Sequence, residues 1–283
     1  MIKAYSRLEA DVFLAIVEEA HTLGLKVIGH VPDSITIEDA AAAGLDSSEH
    51  FFGFDKLIGR LLGAPVKPYY AGMGTDARYF LQLSEVDPAI LRSVLEGLRD
   101  AGLTVCPTVV TFRVGMQTTA FQSGDFLRNE FVSRSVLDTW NTLWPNQSDL
   151  PEFMWQTWSQ LVAQLHQAGI PLMIGTDLSV PGIIPGFSVH EEMAIWQDAG
   201  IPAADVLRSA TSVPARFMGM DDRLGSISAG KTASMVLLRA NPLDDVGNAQ
   251  DIEAVFLRGR YYDSNSLTRL LNEAKELVGR SKE

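Results

Sequence analysis

One element recurs along this chain and restricts its fold: a helix pattern ending in a small or apolar residue, a glycine, then a short apolar run. It reads Leu23-Gly24-Leu25, Ala43-Gly44-Leu45, Ala101-Gly102-Leu103 and Ala168-Gly169-Ile170. Glycine suits the left-handed position that closes a helix, because it has no Cβ to clash. The runs that follow, residues 25–29, 45–48, 103–106 and 170–175, are mostly near-continuous apolar stretches. That is the pattern of parallel strands covered on both faces. Residues 2–5 are a further candidate strand, since residues 9–23 behind them have helical periodicity. Strand then helix, repeated, predicts an α/β fold built on a parallel sheet.

The texture changes towards the C-terminus. Helical segments are expected at 190–199, 203–210 and 213–218. Short strands are then expected at 225–227, 234–238, 252–257 and 260–262, closed by a helix near 266–278. The chain therefore divides into an α/β domain at 1–222 and a small β segment with a terminal helix at 223–283. Two connections, 51–85 and 109–151, are long, as functional loops or hidden short helices are. The second carries Phe112, Phe121, Phe126, Phe131, Trp140 and Trp144, and leads into a helix from Glu152 with Trp155 and Trp158. These aromatics either cover one end of the fold or line a substrate.

Composition narrows the function. At 283 residues, 46% of them apolar, the chain can bury a large core. With 23 basic against 35 acidic residues, its net charge of −12 argues against non-specific binding to nucleic acid or anionic membrane. Cys106 is the only cysteine, which excludes an internal disulfide and a cysteine-built zinc site. No signal-like apolar core and no stretch of ~18 apolar residues occurs. The chain as written reads as cytoplasmic, with a secreted or periplasmic location left open.

Polar residues close the buried runs. His30 follows Val27-Ile28-Gly29, His50 follows Ser47-Ser48-Glu49, Asp177 follows Met173-Ile174-Gly175-Thr176, and Lys3 lies in the first candidate strand. In α/β folds the site is built at the carboxyl ends of several strands. Imidazole and carboxylate groups gathered there suit a divalent metal, zinc above all. Singly, each has a structural explanation: a hydrogen-bonded histidine, an Asx-turn aspartate, a solvated lysine. Their shared register is what points to a site. His21 and His166 read as partly exposed helix residues, and Cys106 as an inert core thiol. The adjacent Glu191 and Glu192 fit the start of a helix through its dipole, and His190 lacks the HExxH zinc pattern because position 194 is Ala.

In order along the chain, Ile2-Lys3-Ala4-Tyr5, Gly29-His30-Val31-Pro32, Asp46-Ser47-Ser48-Glu49-His50, Gly175-Thr176-Asp177, Ser188-Val189-His190-Glu191-Glu192-Met193, Ala210-Thr211-Ser212-Val213-Pro214-Ala215-Arg216 and Leu224-Gly225-Ser226-Ile227-Ser228-Ala229-Gly230-Lys231 resemble the amidohydrolase superfamily, in its imidazolonepropionase-like and prolidase-like branch. The resemblance implies a (β/α)8 TIM-type barrel with a small β-sandwich and one or two divalent metals, usually zinc. It implies that Lys3 is carboxylated and bridges the metals, that His30 and His50 bind the second metal, and that Asp177 binds the first and accepts the proton of the attacking water. Tyr5 and His190 become candidate substrate-binding residues. The family's His-x-His pair does not occur here, and about five strands are legible where a barrel needs eight. The expected architecture is thus an incomplete barrel, strands four to eight, with the C-terminal part of the sandwich. Its open edges admit a homo-oligomer or a completing segment.

The resulting expectation is a metal-dependent hydrolase that cleaves a C–N bond in a small amide, dipeptide-like or cyclic imide substrate, impaired by the absent His-x-His. The alternatives are a non-catalytic remnant or subunit fragment that only associates with a partner, and a Schiff-base lyase using Lys3.

Overall fold

All four helix–glycine junctions form as the pattern requires: Gly24, Gly44, Gly102 and Gly169 take φ values of 68°, 109°, 86° and 78°. The computed structural model describes residues 1–63, 77–115, 128–143 and 152–280. Phe121, Phe126 and Trp144 of the aromatic segment lie outside the described residues. In chain order the elements are β1 (Ile2–Ala4), α1 (Ala10–Thr22), β2 (Val27–Gly29), α2 (Ile37–Ala43), β3 (Ser47–Glu49), α3 (Phe54–Leu61), α4 (Ala77–Phe80), α5 (Pro88–Asp100), β4 (Thr104–Cys106) and α6 (Val109–Gly115). They continue as α7 (Arg134–Leu143), α8 (Glu152–Gln167), α9 (Ser188–Asp198), α10 (Ala203–Ser209), α11 (Ser212–Phe217), β5 (Met235–Leu238), β6 (Ile252–Leu257), β7 (Arg260–Asp263) and α12 (Ser264–Arg280).

The chain forms two compact units, Met1–Thr108 with Phe153–Gly175, and Val109–Glu152 with Thr176–Glu283. The first holds a parallel sheet in the order β1-β2-β3-β4. Its register pairs Lys3 with Ile28, Ser48 with Val105, and Glu49 with Cys106. Gly29, at φ +121°, lies so close to β1 that a Cβ there would collide with the Ala4 carbonyl oxygen. Local signals start the helices. The Thr36 hydroxyl accepts the Asp39 amide at 3.1 Å to cap α2, and Asp87 accepts the amides of Ala89 and Ile90 ahead of α5, whose first residue is Pro88. Apolar faces of the helices supply core: Phe13, Leu95, Leu161 and Val162 are fully buried, each worth roughly 1.5–3 kcal/mol of burial.

Two expected strands do not form. Residues 170–175 make only an isolated bridge, Val105 to Leu172, with Met173 donating to Val105 at 2.9 Å. Pro171 has no N–H to extend that ladder. Residues 225–227 are a loop: Gly225 is at φ +82°, and the Lys231 ammonium is gripped by the carbonyls of Asp221 and Leu224 and the Ser226 hydroxyl.

The second unit carries the antiparallel sheet β5-β6-β7, with Val255 opposite both Val236 and Tyr262. Val110, Trp196 and Val206 are fully buried in its helical part. Of the aromatic segment, Phe131 packs on Phe187 at 5.0 Å between ring centres. Among the described residues no helix is long and apolar enough to cross a membrane.

Candidate functional site

In a parallel sheet every strand runs the same way, so its carboxyl ends share one edge. His30 directly follows β2, and His50 directly follows β3 at φ +58°. Thr108 stands two residues beyond β4 at φ +49°. The His30 and His50 rings meet edge to face with centres 5.2 Å apart. Lys3 projects from β1 and places its ammonium 2.9 Å from the Glu49 carboxylate, whose same oxygen is 3.8 Å from His50 Nε2. Lys3, His30 and His50 are therefore brought together in the first unit, with Glu49 added.

Both imidazoles are oriented by hydroxyls. Ser6 Oγ is 2.8 Å from His30 Nδ1, and Thr108 Oγ1 is 2.7 Å from His50 Nδ1. His30 is also clamped between rings, Phe52 at 3.6 Å on one contact and Tyr5 at 4.1 Å on the other. Burial, reinforced by the positive potential of His50 and Lys3, lowers the His30 pKa from 6.5 to about 3. The ring is thus neutral at physiological pH, the state in which imidazole binds metals.

A histidine whose Nδ1 is engaged by a second group offers Nε2 as its ligand atom, with its orientation preset. By that criterion the two imidazoles fit a divalent cation. Among the described residues no three His, Cys, Asp or Glu side chains gather closely enough to hold one unaided. Lys3 is an ammonium ion-paired to Glu49, and an ammonium has no lone pair to donate. It becomes an oxygen ligand only if carboxylated. The same pairing makes it a poor nucleophile, which speaks against the Schiff-base reading.

Of the other candidates, Asp177 and His190 lie in the second unit. Asp177 is half-buried at φ +48°, and its carbonyl accepts the Val180 amide at 3.1 Å. A positive φ in a non-glycine residue is uncommon and tolerated best by Asp and Asn. Tyr5, in the first unit, is 60% exposed and so can meet a ligand while stacked on His30. His190, on α9, is half-buried with its Nδ1 buried and lacking a hydrogen-bond partner, and burial lowers its pKa.

Two residues depart from the sequence reading. Glu192 does more than favour the helix start through its dipole. It is fully buried and accepts the Val109 amide at 3.0 Å, the Val110 amide at 2.6 Å and the Trp196 indole N–H at 2.8 Å. Burial raises its pKa from 4.5 to about 7, against the pull of those three donors. His21 is an exposed helix residue whose Nε2 lies 2.9 Å from the Asp46 carboxylate. Cys106 is half-buried rather than sealed in the core. A cavity of about 580 Å³ lies beside α2 and α3, but its charged lining pairs internally, Lys56 with Asp33 and Arg60 with Glu38, and none of Lys3, His30 or His50 borders it.

Residues 156–261 match the model of the amidohydrolase family. Over 87 residues the chain is 32% identical to a 5-methylthioadenosine/S-adenosylhomocysteine deaminase of Desulforudis audaxviator, a match covering 28% of this chain and 20% of that protein. It is 32% identical over 78 residues to an imidazolonepropionase of Thermoplasma acidophilum, covering 28% and 19%. Among solved structures, bottromycin amidohydrolase superposes with a TM-score of 0.72 at 24% identity, covering 98% of this chain and 59% of that one. A Xaa-Pro dipeptidase with bound methionine superposes at 0.55 and 19% identity, covering 89% and 48%. At such identities the structural likeness establishes the fold. The matched stretches span about a fifth of the length of the curated relatives.

Proposed function

From the amidohydrolase family domain at residues 156–261, we propose that this chain is a metal-dependent hydrolase acting on a C–N bond of a small amide, dipeptide-like or cyclic imide substrate. The observation that carries the proposal is the pair of strand-end imidazoles, His30 and His50, each with Nδ1 held by a hydroxyl at 2.8 and 2.7 Å. The deaminase and the imidazolonepropionase to which the chain is similar are named for chemistry at C–N bonds, which favours the same reaction class.

His30 and His50 would hold the cation through Nε2, and Lys3, once carboxylated, would supply oxygen. A zinc ion held by these residues would supply Lewis acidity towards a scissile carbonyl and towards water. The remaining roles belong to the chain. Hydroxyl partners Ser6 and Thr108 fix both rings, so no reorganisation is needed as charge develops. Asp177 takes a proton from water and returns it to the leaving nitrogen, the acid–base role that the family resemblance gives it. Tyr5 and His190 are the side chains proposed to contact substrate.

The test is hydrolysis of a panel of N-acyl amino acids, dipeptides and cyclic imides by the purified chain, with zinc or manganese added after chelation. Turnover that disappears with chelator and returns with metal supports the reading. Metal-independent turnover, or none with any metal, removes it.

A further inference from the structure

We infer that the cavity bordered by α1, the segment leading into α2, and α3 binds a small aliphatic zwitterion, an amino acid with an apolar side chain. The inference does not depend on the proposed hydrolysis, since Lys3, His30 and His50 are not among the residues that line this cavity.

The cavity lies wholly within the first unit, and its volume of about 580 Å³ is that of a small-molecule site. Local sequence fixes its walls. Thr36 caps α2 through the Asp39 amide, and Gly53, at φ +90°, starts α3 hard against the chain before α2. A Cβ on Gly53 would come within 3.0 Å of Val31 and 3.1 Å of Ile37. Two leucines give the cavity an apolar surface: Leu57 on α3 is buried, whereas Leu14 on α1 is 44% exposed and is covered only when something fills the space.

The charges around it are of both signs: Lys56 and Arg60 against Asp33, Glu38 and Asp39. Lys56 donates to Asp33 at 2.6 Å, Arg60 pairs with Glu38 through Oε1, and the Thr36 hydroxyl donates to Asp39 at 2.7 Å. One acceptor is left over. Glu38 Oε2 is buried and has no hydrogen-bond partner among the described residues. A desolvated carboxylate oxygen without a donor is costly, and a ligand ammonium supplies that donor. Arg60 meets Glu38 through one nitrogen, so the rest of its fork suits a carboxylate.

A ligand of single charge matches only half of this lining. A monocation would sit beside Lys56 and Arg60, and a monoanion beside three carboxylates. A zwitterion adds no net charge; it sets its ammonium at Glu38 and its carboxylate at Arg60, and lays an aliphatic side chain on Leu14 and Leu57.

Calorimetric titration of the chelator-treated full chain with L-leucine, isoamylamine and isocaproate tests this. The last two carry the leucine side chain with only the ammonium or only the carboxylate. Leucine is expected to bind saturably, and at least about tenfold more tightly than either, because each of them lacks one set of charge-assisted hydrogen bonds. Glu38→Gln is expected to weaken leucine binding about tenfold, and His30→Asn to leave it unchanged. The inference is overturned if leucine does not bind saturably, if either single-charge compound binds as tightly, or if Glu38→Gln binds as the parent does. Leucine binding lost in His30→Asn overturns it as well, because the ligand then sits at the strand ends. Should Glu38→Gln not fold, Leu14→Trp, which fills the cavity from α1, must abolish binding; binding retained there overturns the inference.

Discussion

The Lys3 ammonium and the Glu49 carboxylate stand 2.9 Å apart at the edge where the candidate site is built. With the Lys3 side chain 45% exposed, such a pair contributes ~0–1 kcal/mol to stability. Glu49 therefore does little to hold the fold and much to set the state of Lys3, because an ammonium stabilised by a neighbouring anion resists conversion to a carbamate. Glu49→Gln is expected to leave thermal stability within a few degrees and to raise the Lys3 carbamate signal in ¹³C spectra with labelled bicarbonate. Lys3→Ala is expected to be equally stable and to lose the proposed turnover. A large stability loss in either variant would show that the pair is structural.

Two buried groups pull the pH dependence of the metal-free protein in opposite directions. His30 falls from 6.5 to about 3 on folding, so below pH 6.5 the unfolded chain binds a proton that the folded one refuses. That contribution to stability is lost as pH falls from 6.5 towards 3, at up to about 1.4 kcal/mol per pH unit. Glu192 rises from 4.5 to about 7; there the folded state holds the extra proton, and stability is lost as pH rises from 4.5 to 7. Between about pH 4.5 and 6.5 the two slopes oppose each other. Denaturant unfolding across that window is expected to be nearly flat for the parent chain. It should fall with pH in His30→Asn and rise with pH in Glu192→Gln; identical slopes in all three would show that neither group is shifted.

Gly29 couples the strand geometry to the site. Its φ of +121° and its approach to the Ala4 carbonyl leave no room for a Cβ, and it immediately precedes His30. Gly29→Ala is expected to cost about 1–3 kcal/mol from backbone strain alone, more if β1 is pushed from β2, and to displace His30 from Ser6. Chemical denaturation measures the first, and the His30 nitrogen shifts measure the second. An alanine tolerated without change in either would mean that this approach does not constrain the sheet.

Much of this arrangement was legible in the residues because it follows local rules. Glycines after helix patterns and apolar runs ending in histidine are signals within a few positions, and His30 and His50 do directly follow the strands those runs form. Residues 170–175 look like a strand by hydropathy, but pairing needs donors, and Pro171 removes one at the bridge. Residues 225–227 have strand-like composition, yet Gly225 takes φ +82° and the Lys231 ammonium several residues on binds the Ser226 hydroxyl. Glu49 and Glu192 were missed for a common reason. Their roles are set by partners distant in sequence, Lys3 for one and backbone amides 82 and 83 positions away for the other. Backbone partners have no residue type, so no motif marks them.

The central claim is that His30 and His50 together grip a divalent cation. Calorimetric titration of the chelator-treated chain with zinc tests it most directly, alongside His30→Asn and His50→Asn. The account predicts a saturable site in the parent protein that is lost or weakened at least about tenfold in both variants. Binding of equal strength in all three, or none in the parent chain, would contradict it.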